Sequence, residues 1–160
     1  MPSHYLDDPA PGARPLRPLG PSDPQLIGPY RLLGVLGTGG MGRVYLGHSQ
    51  TGKRVAIKVI RGELAEDPAF RQRFAREVAI ARTVSALYTA PVVDFDPDAD
   101  PPWFATTYIE GPSLASLVRN HGPLAPQTVF TLAAGLAEAL AGLHQAGFAH
   151  RDLKPANVLL

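Results

Sequence analysis

The chain has no cysteine among its 160 residues. That excludes disulfides, thiolate nucleophiles and cysteine-ligated zinc. Charge of one sign is missing too: 15 Lys and Arg against 14 Asp and Glu leave a formal net charge of +1. Such a balance gives no field to steer the chain toward nucleic acid or acidic lipid. Long apolar runs are also absent, and none reaches the roughly 18 uncharged residues of a membrane span. The nearest stretch, 131–149, is broken by Glu138 and His144. The N-terminus carries Asp7 and Asp8 among prolines, where a secretion signal needs basic residues before an apolar core. These absences point to a soluble chain with no nucleic-acid partner and no membrane segment. What remains is an ordinary globular composition, 45% hydrophobic, long enough for one domain with a real core.

Proline is plentiful instead, and unevenly placed. Eight of the 17 fall before residue 30: Pro2, Pro9, Pro11, Pro15, Pro18, Pro21, Pro24 and Pro29. Apolar residues there are few and follow neither a helical nor a strand period. Such a segment buries too little surface to offset its ordering entropy. Residues 1–29 therefore read as a disordered leader with polyproline character. Arg14-Pro15-Leu16-Arg17-Pro18 could dock on an SH3-like groove, but a tail is the plainer reading.

Residues 30–36, 44–47 and 54–60 read as short strands of an antiparallel meander, the third alternating Val55, Ile57 and Val59 with Ala56, Lys58 and Ile60. Between the first two, Gly37, Gly39 and Gly42 fit Gly-x-Gly-x-x-Gly, and Gly40 adds another glycine. The missing Cβ atoms let backbone N–H groups approach phosphate oxygens. The rival is the dinucleotide-binding fingerprint, which needs a helix directly after the glycines and an acid about 20 residues on. Here a strand-like Arg43-Val44-Tyr45-Leu46 follows, and Lys58 stands where the acid would be. A lysine in an apolar strand needs a partner or a ligand. A snorkelling surface lysine is the bland alternative. After the glycine hairpin, a phosphate contact fits Lys58 better.

Asp67-Pro68 reads as a helix cap followed by proline at the first helical position. Phe70, Phe74, Val78 and Ala81 then trace one helical face, with Glu77 on it. An acid among core residues is costly unless paired, and Lys58 is the expected partner. The local alternative is Arg73 or Arg76. Strands are expected at 92–95 and 103–108, separated by a proline-rich turn. Gly111-Pro112 ends the second, and Ser113 caps a helix to about residue 120. A purine held here would be read by main-chain groups near Thr107 and Ile109, sandwiched by Leu36, Val44 and Ala56, with Thr106 behind it. Trp103 receives no role.

Pro126 opens a long helix in which Val129, Leu132, Ala133, Leu136, Ala137, Leu140 and Leu143 keep helical spacing, and Gly147 ends it. A helix this apolar needs neighbours over much of its circumference. His150-Arg151-Asp152-Leu153-Lys154-Pro155-Ala156-Asn157 then gathers an acid, an ammonium and an amide into one loop, stiffened by Pro155. Asp152 can take a proton from an attacking hydroxyl. Lys154 can neutralise charge on phosphate oxygens, and Asn157 can ligate Mg²⁺ through its side-chain oxygen.

With these motifs in order, the sequence from about residue 30 to 160 resembles bacterial eukaryotic-like (Hanks-type) serine/threonine protein kinases. The resemblance implies an α+β, protein-kinase-like fold. A five-stranded antiparallel small lobe with one long helix would occupy 30–108, and the hinge and the start of a helical large lobe 109–160. It implies ATP and Mg²⁺ as cofactors, proteins with Ser/Thr hydroxyls as substrates and a cytoplasmic kinase domain, and it allows a homodimer through the small lobe. Gly37, Gly39, Gly42 and Val44 match its glycine loop, Lys58 its strand lysine and Glu77 the helix partner. Asp152 matches its catalytic base and Asn157 its metal-binding amide. Lys154 favours Ser/Thr over tyrosine specificity, and Arg151 marks switching by activation-loop phosphorylation. Thr107 departs from a common glutamate, and Tyr88-Thr89-Ala90-Pro91 from a common His-Pro. The larger departure is that no Asp-Phe-Gly stands in these 160 residues. The chain therefore reads as a fragment, expected to be inactive and poorly soluble by itself. The alternatives are a nucleotide-binding pseudokinase, an interaction fragment working through its leader, and a small-molecule kinase such as the aminoglycoside phosphotransferases.

Overall fold

The computed structural model describes residues 16–83, 89–147, 149–150 and 152–160. Six strands are found among them: β1 Leu26–Ile27, β2 Tyr30–Gly39, β3 Gly42–His48, β4 Arg54–Ile60, β5 Val92–Asp96 and β6 Trp103–Thr107. They form one antiparallel sheet in the order β1-β2-β3-β4-β6-β5. A short helix α1 (Gly62–Ala65) and α2 (Pro68–Thr83) lie between β4 and β5. Two further helices follow the sheet, α3 (Leu114–His121) and α4 (Pro126–Gln145), and then a 3-10 turn, Pro155–Asn157.

Register sorts the side chains into two faces, because direct cross-strand partners share a face and alternate along a strand. Tyr45, Ile57 and Ala105 oppose one another across β3, β4 and β6. They are buried with Tyr30, Leu32, Val35, Val55 and Trp103 in the main core. Val44, Lys58 and Phe104 form the next row along, on the opposite face. There α2 covers the sheet: Phe74 and Val78 join Ile60 in a second core, with Phe104 and Val92 against it. The face that carries Lys58 is therefore the face that receives the helix of Glu77.

Local chemistry sets the helix ends. Asp67 Oδ1 accepts a hydrogen bond from Ala69 N at 2.9 Å, which satisfies an open donor ahead of α2. Arg71 then fastens α2 to the end of α1, donating to Ala65 O at 2.6 Å, and to the turn between β5 and β6, donating to Pro97 O and Ala99 O at 3.1 and 3.2 Å. The Arg82 guanidinium lies 5.2 Å from the Phe95 ring centre and ties down the other end. Ser113 Oγ accepts from Ser116 N at 3.1 Å at the start of α3. Among the described residues of α4 none is buried, and Phe130 is 71% exposed.

The structure departs from the sequence reading in the number of strands and in the leader. Residues 1–15 lie outside the described residues, but 16–29, expected to hold no core, contribute to it. Leu26 and Ile27 pair with Arg31 and Tyr30 as a sixth strand, Ile27 is buried, and Leu19 packs against the main core. Isolated apolar residues between prolines carry no period, so sequence spacing could not show them. The glycine hairpin is also tighter than expected. Its ladder continues to Gly39↔Gly42, leaving only Gly40 and Met41 at the turn. Trp103 has a structural role: its indole meets the Tyr30 ring edge-on at 5.9 Å, inside the core.

Candidate active site

The glycine hairpin is built from β2 and β3. At Gly37, Gly39 and Gly40 a Cβ would meet nothing within 4 Å, and none of the three has positive φ. Among the described residues nothing requires glycine there. Open room above three bare backbone positions fits an approaching phosphate chain. Gly42 differs: its φ is 155° and a Cβ would lie 1.9 Å from Val59 O. It is glycine because β4 passes directly beside it.

Lys58 faces Val44 on one side and Phe104 on the other, half-buried in mid-sheet. It shares a cavity of about 380 Å³ with Met41, Phe74, Glu77 and Val92. Glu77 sits at the exposed margin of α2, one residue before buried Val78. Among the described residues no ion pair to Lys58 is formed. Lys58 and Glu77 are brought to one cavity without the expected pairing joining them. Arg73, one of the two local alternatives, has the Asp67 carboxylate at 3.9 Å.

Of the expected purine residues, Val44, Ala56 and Thr106 fall on the Lys58 face: Leu46 opposes Ala56, and Ala56 opposes Thr106, two residues along each strand from Val44, Lys58 and Phe104. Thr107 opposes Val55 on the other face, and Ile109 lies beyond the end of β6. Leu36 is half-buried beside Gly37, whose partner is Val44. Thr107 N donates to Pro91 O at 3.0 Å, which ties the link to β5. Ile109 lines a second cavity, of about 540 Å³, with Leu136, Leu140, His150 and Asn157. The link after β6 and the loop after α4 therefore share a wall. Met41 and Phe104 were given no role from sequence, and each needs the tertiary contact to be seen.

The loop after α4 is organised around Asp152. Lys154 Nζ donates to its Oδ1 at 2.9 Å. Asn157 Nδ2 donates to its Oδ2 at 3.0 Å and to its main-chain oxygen at 2.8 Å. The turn Pro155–Asn157 carries the amide back to the acid. The bonds from Lys154 and then Asn157 hold the carboxyl below the ordinary 3.8. Both interactions of Asn157 use its nitrogen, so its side-chain oxygen remains as a ligand for a hard cation. Among the described residues no cluster of three or more His, Cys, Asp or Glu could hold a metal. A cation here would take most of its ligands from phosphate and water, which suits Mg²⁺. Arg151 lies outside the described residues.

One chain thus carries a lysine strand beside a glycine hairpin and a loop that joins acid, ammonium and amide. Residues 30–160 match the family model described as the protein kinase domain, and the chain belongs to that family. It is 59% identical over 138 residues to the serine/threonine-protein kinase AfsK of Streptomyces coelicolor, a match that covers 86% of this chain and 17% of AfsK. It is 54% identical over 145 residues to the probable serine/threonine-protein kinase PkwA of Thermomonospora curvata, covering 91% of this chain and 20% of that one. The chain thus spans a fifth or less of the length of these curated relatives. The kinase domain of PknI from Mycobacterium tuberculosis superposes with a TM-score of 0.72 at 31% identity, covering 82% of this chain and 53% of PknI's. The fold is protein-kinase-like, with one more strand than the expected five.

Proposed function

We propose that the protein carrying this chain, through a cytoplasmic kinase domain, transfers the γ-phosphoryl group of ATP to serine or threonine hydroxyls of proteins. This chain would supply the nucleotide-binding lobe and the catalytic loop. The observation that carries the reading is the Asp152 carboxylate held by Lys154 and Asn157. Gly37, Gly39 and Gly42 would hold the phosphates through main-chain N–H groups, Lys58 would neutralise them, and Asn157 would ligate Mg²⁺. Leu36, Val44, Ala56, Thr106, Thr107 and Ile109 would hold the base, and Glu77 would steady Lys58. Bound MgATP supplies an electrophilic phosphoryl group with its charge partly neutralised. Asp152 orients the incoming hydroxyl. A carboxylate held below its ordinary range is a weak base, so it accepts the proton late, once bonding to phosphorus has made the hydroxyl acidic. Lys154 keeps a positive charge 2.9 Å from the carboxylate that receives that proton.

Lys58→Met and Asp152→Asn in the protein that carries this chain are expected to lower phosphoryl transfer by about 10² or more, with the fold retained in circular dichroism. The measurement is labelled-phosphate incorporation into a Ser/Thr protein. Full turnover in both variants would sink the proposal. Nucleotide binding without transfer in the unaltered protein would instead establish a pseudokinase.

A further inference from the structure

Residues 16–23 lie against the glycine hairpin, and no step of the proposed reaction uses them. Arg17 N donates to Val35 O at 3.0 Å, and Val35 N donates back to Arg17 O at 2.8 Å. The Arg17 guanidinium reaches further along β2 and donates to Thr38 Oγ1 at 3.0 Å, between Gly37 and Gly39. At the other end of the segment, the Asp23 side chain is only 6% exposed. It accepts from Gly20 N at 2.8 Å, from Tyr45 Oη at 2.8 Å and from the Arg43 guanidinium. Arg43 directly follows Gly42. The hairpin is thus gripped on both strands, through Val35 and Thr38 on β2 and through Arg43 and Tyr45 on β3.

The sheet is shaped to receive this segment. Gly34 sits in mid-strand, where glycine ordinarily weakens a sheet. A Cβ there would come within 2.7 Å of both Arg17 O and Leu16 Cγ. The bare backbone of Gly34 is the seat on which Leu16 and Arg17 lie. Gly37, Gly39 and Gly40 have no such neighbour, since no atom of the described residues lies within 4 Å of a Cβ there. A loop with little packing of its own is held from outside.

We infer that residues 16–23 are a strap that sets the reach of the glycine hairpin over nucleotide phosphates, with Arg17 and Asp23 as positioning residues. The inference rests on the nucleotide reading of the hairpin given above. A glycine-rich tip loses much conformational freedom when it closes on a ligand. A strap that removes part of that freedom beforehand raises affinity without touching the ligand. It should therefore act on ATP binding and leave the chemical step alone.

The test compares Arg17→Ala, Asp23→Asn and Gly34→Ala with the unaltered protein that carries this chain. Amide hydrogen exchange is followed in residues 36–43 and, as the internal reference, in 54–60. Exchange in 36–43 is expected to speed up about fivefold with 54–60 unchanged, and KM for ATP to rise about fivefold with kcat within about twofold, as the loss of one hydrogen bond implies. Arg17 is exposed, so its variant keeps the core intact even if Asp23→Asn does not fold. Unchanged exchange at 36–43 in both Arg17→Ala and Gly34→Ala overturns the strap. Faster exchange with an unaltered KM overturns the positioning role and reduces the segment to packing. Lys58→Met with full turnover marks failure of the nucleotide reading, while the exchange result still judges the strap separately.

Discussion

Gly39 and Gly42 pair across the same hairpin, yet they are glycine for different reasons. At Gly42 an added Cβ would strike Val59 O, so Gly42→Ala should destabilise the fold by about 1–3 kcal/mol, read from urea melts. At Gly39 a Cβ meets nothing within 4 Å. Gly39→Ala should leave the melt within about 0.5 kcal/mol and weaken ATP binding instead, read by titration calorimetry. Asp152 gives a second contrast. Lys154 is the largest cause of its depressed pKa, so Lys154→Ala should let it rise toward the ordinary 3.8. The acid limb of the rate profile, where the carboxylate protonates and activity falls, should then move to higher pH. Asp152, Lys154 and Asn157 could be read from sequence because their contacts close within five residues. Asp23 could not: its partners Arg43 and Tyr45 are 20 and 22 residues away, and an acid between prolines looks like a solvated one.

Elements were legible in proportion to their side-chain pattern. β4 matches its expected span, 54–60, because apolar residues alternate along it. The starts of α2 and α3 match because Asp67-Pro68 and Ser113 are chemical caps. Ser113→Ala removes the acceptor of Ser116 N and should cost about 1 kcal/mol, seen as a lower urea midpoint at unchanged slope. The ends of β2 and β3 at the hairpin were not legible, since a glycine strand has no pattern and only the ladder defines it. β1 is two residues long, too short for any period. The distance between Lys58 and Glu77 also lay beyond the sequence. Helical phase places Glu77 toward the sheet, but the pose of α2 depends on Arg71 and Arg82 reaching the strands beyond it.

For the whole molecule, stability should fall at both extremes of pH. Asp23, held below 3.8 first by Gly20 N and then by Tyr45, and Asp152 both have depressed folded values. Their contribution is present above the unfolded pKa and is lost as pH falls through the folded ones. Tyr30 is the opposite case: burial, then its bond to Asp94 Oδ2 at 3.1 Å, pushes it from 10.0 to about 12. Its contribution holds below pH 10 and is lost as pH rises through 12. A melting midpoint plotted against pH should therefore be flat in between and drop on both sides. The family model begins at residue 30, but the wall of the main core does not. The Gly28 backbone lies so close to the Trp103 indole that a Cβ would come within 2.5 Å of it, and Leu16 and Arg17 fill the seat at Gly34. A recombinant domain trimmed to the family boundary would peel off that wall and leave indole and bare strand facing solvent. Expression plasmids for this protein should open their reading frame upstream of Leu16.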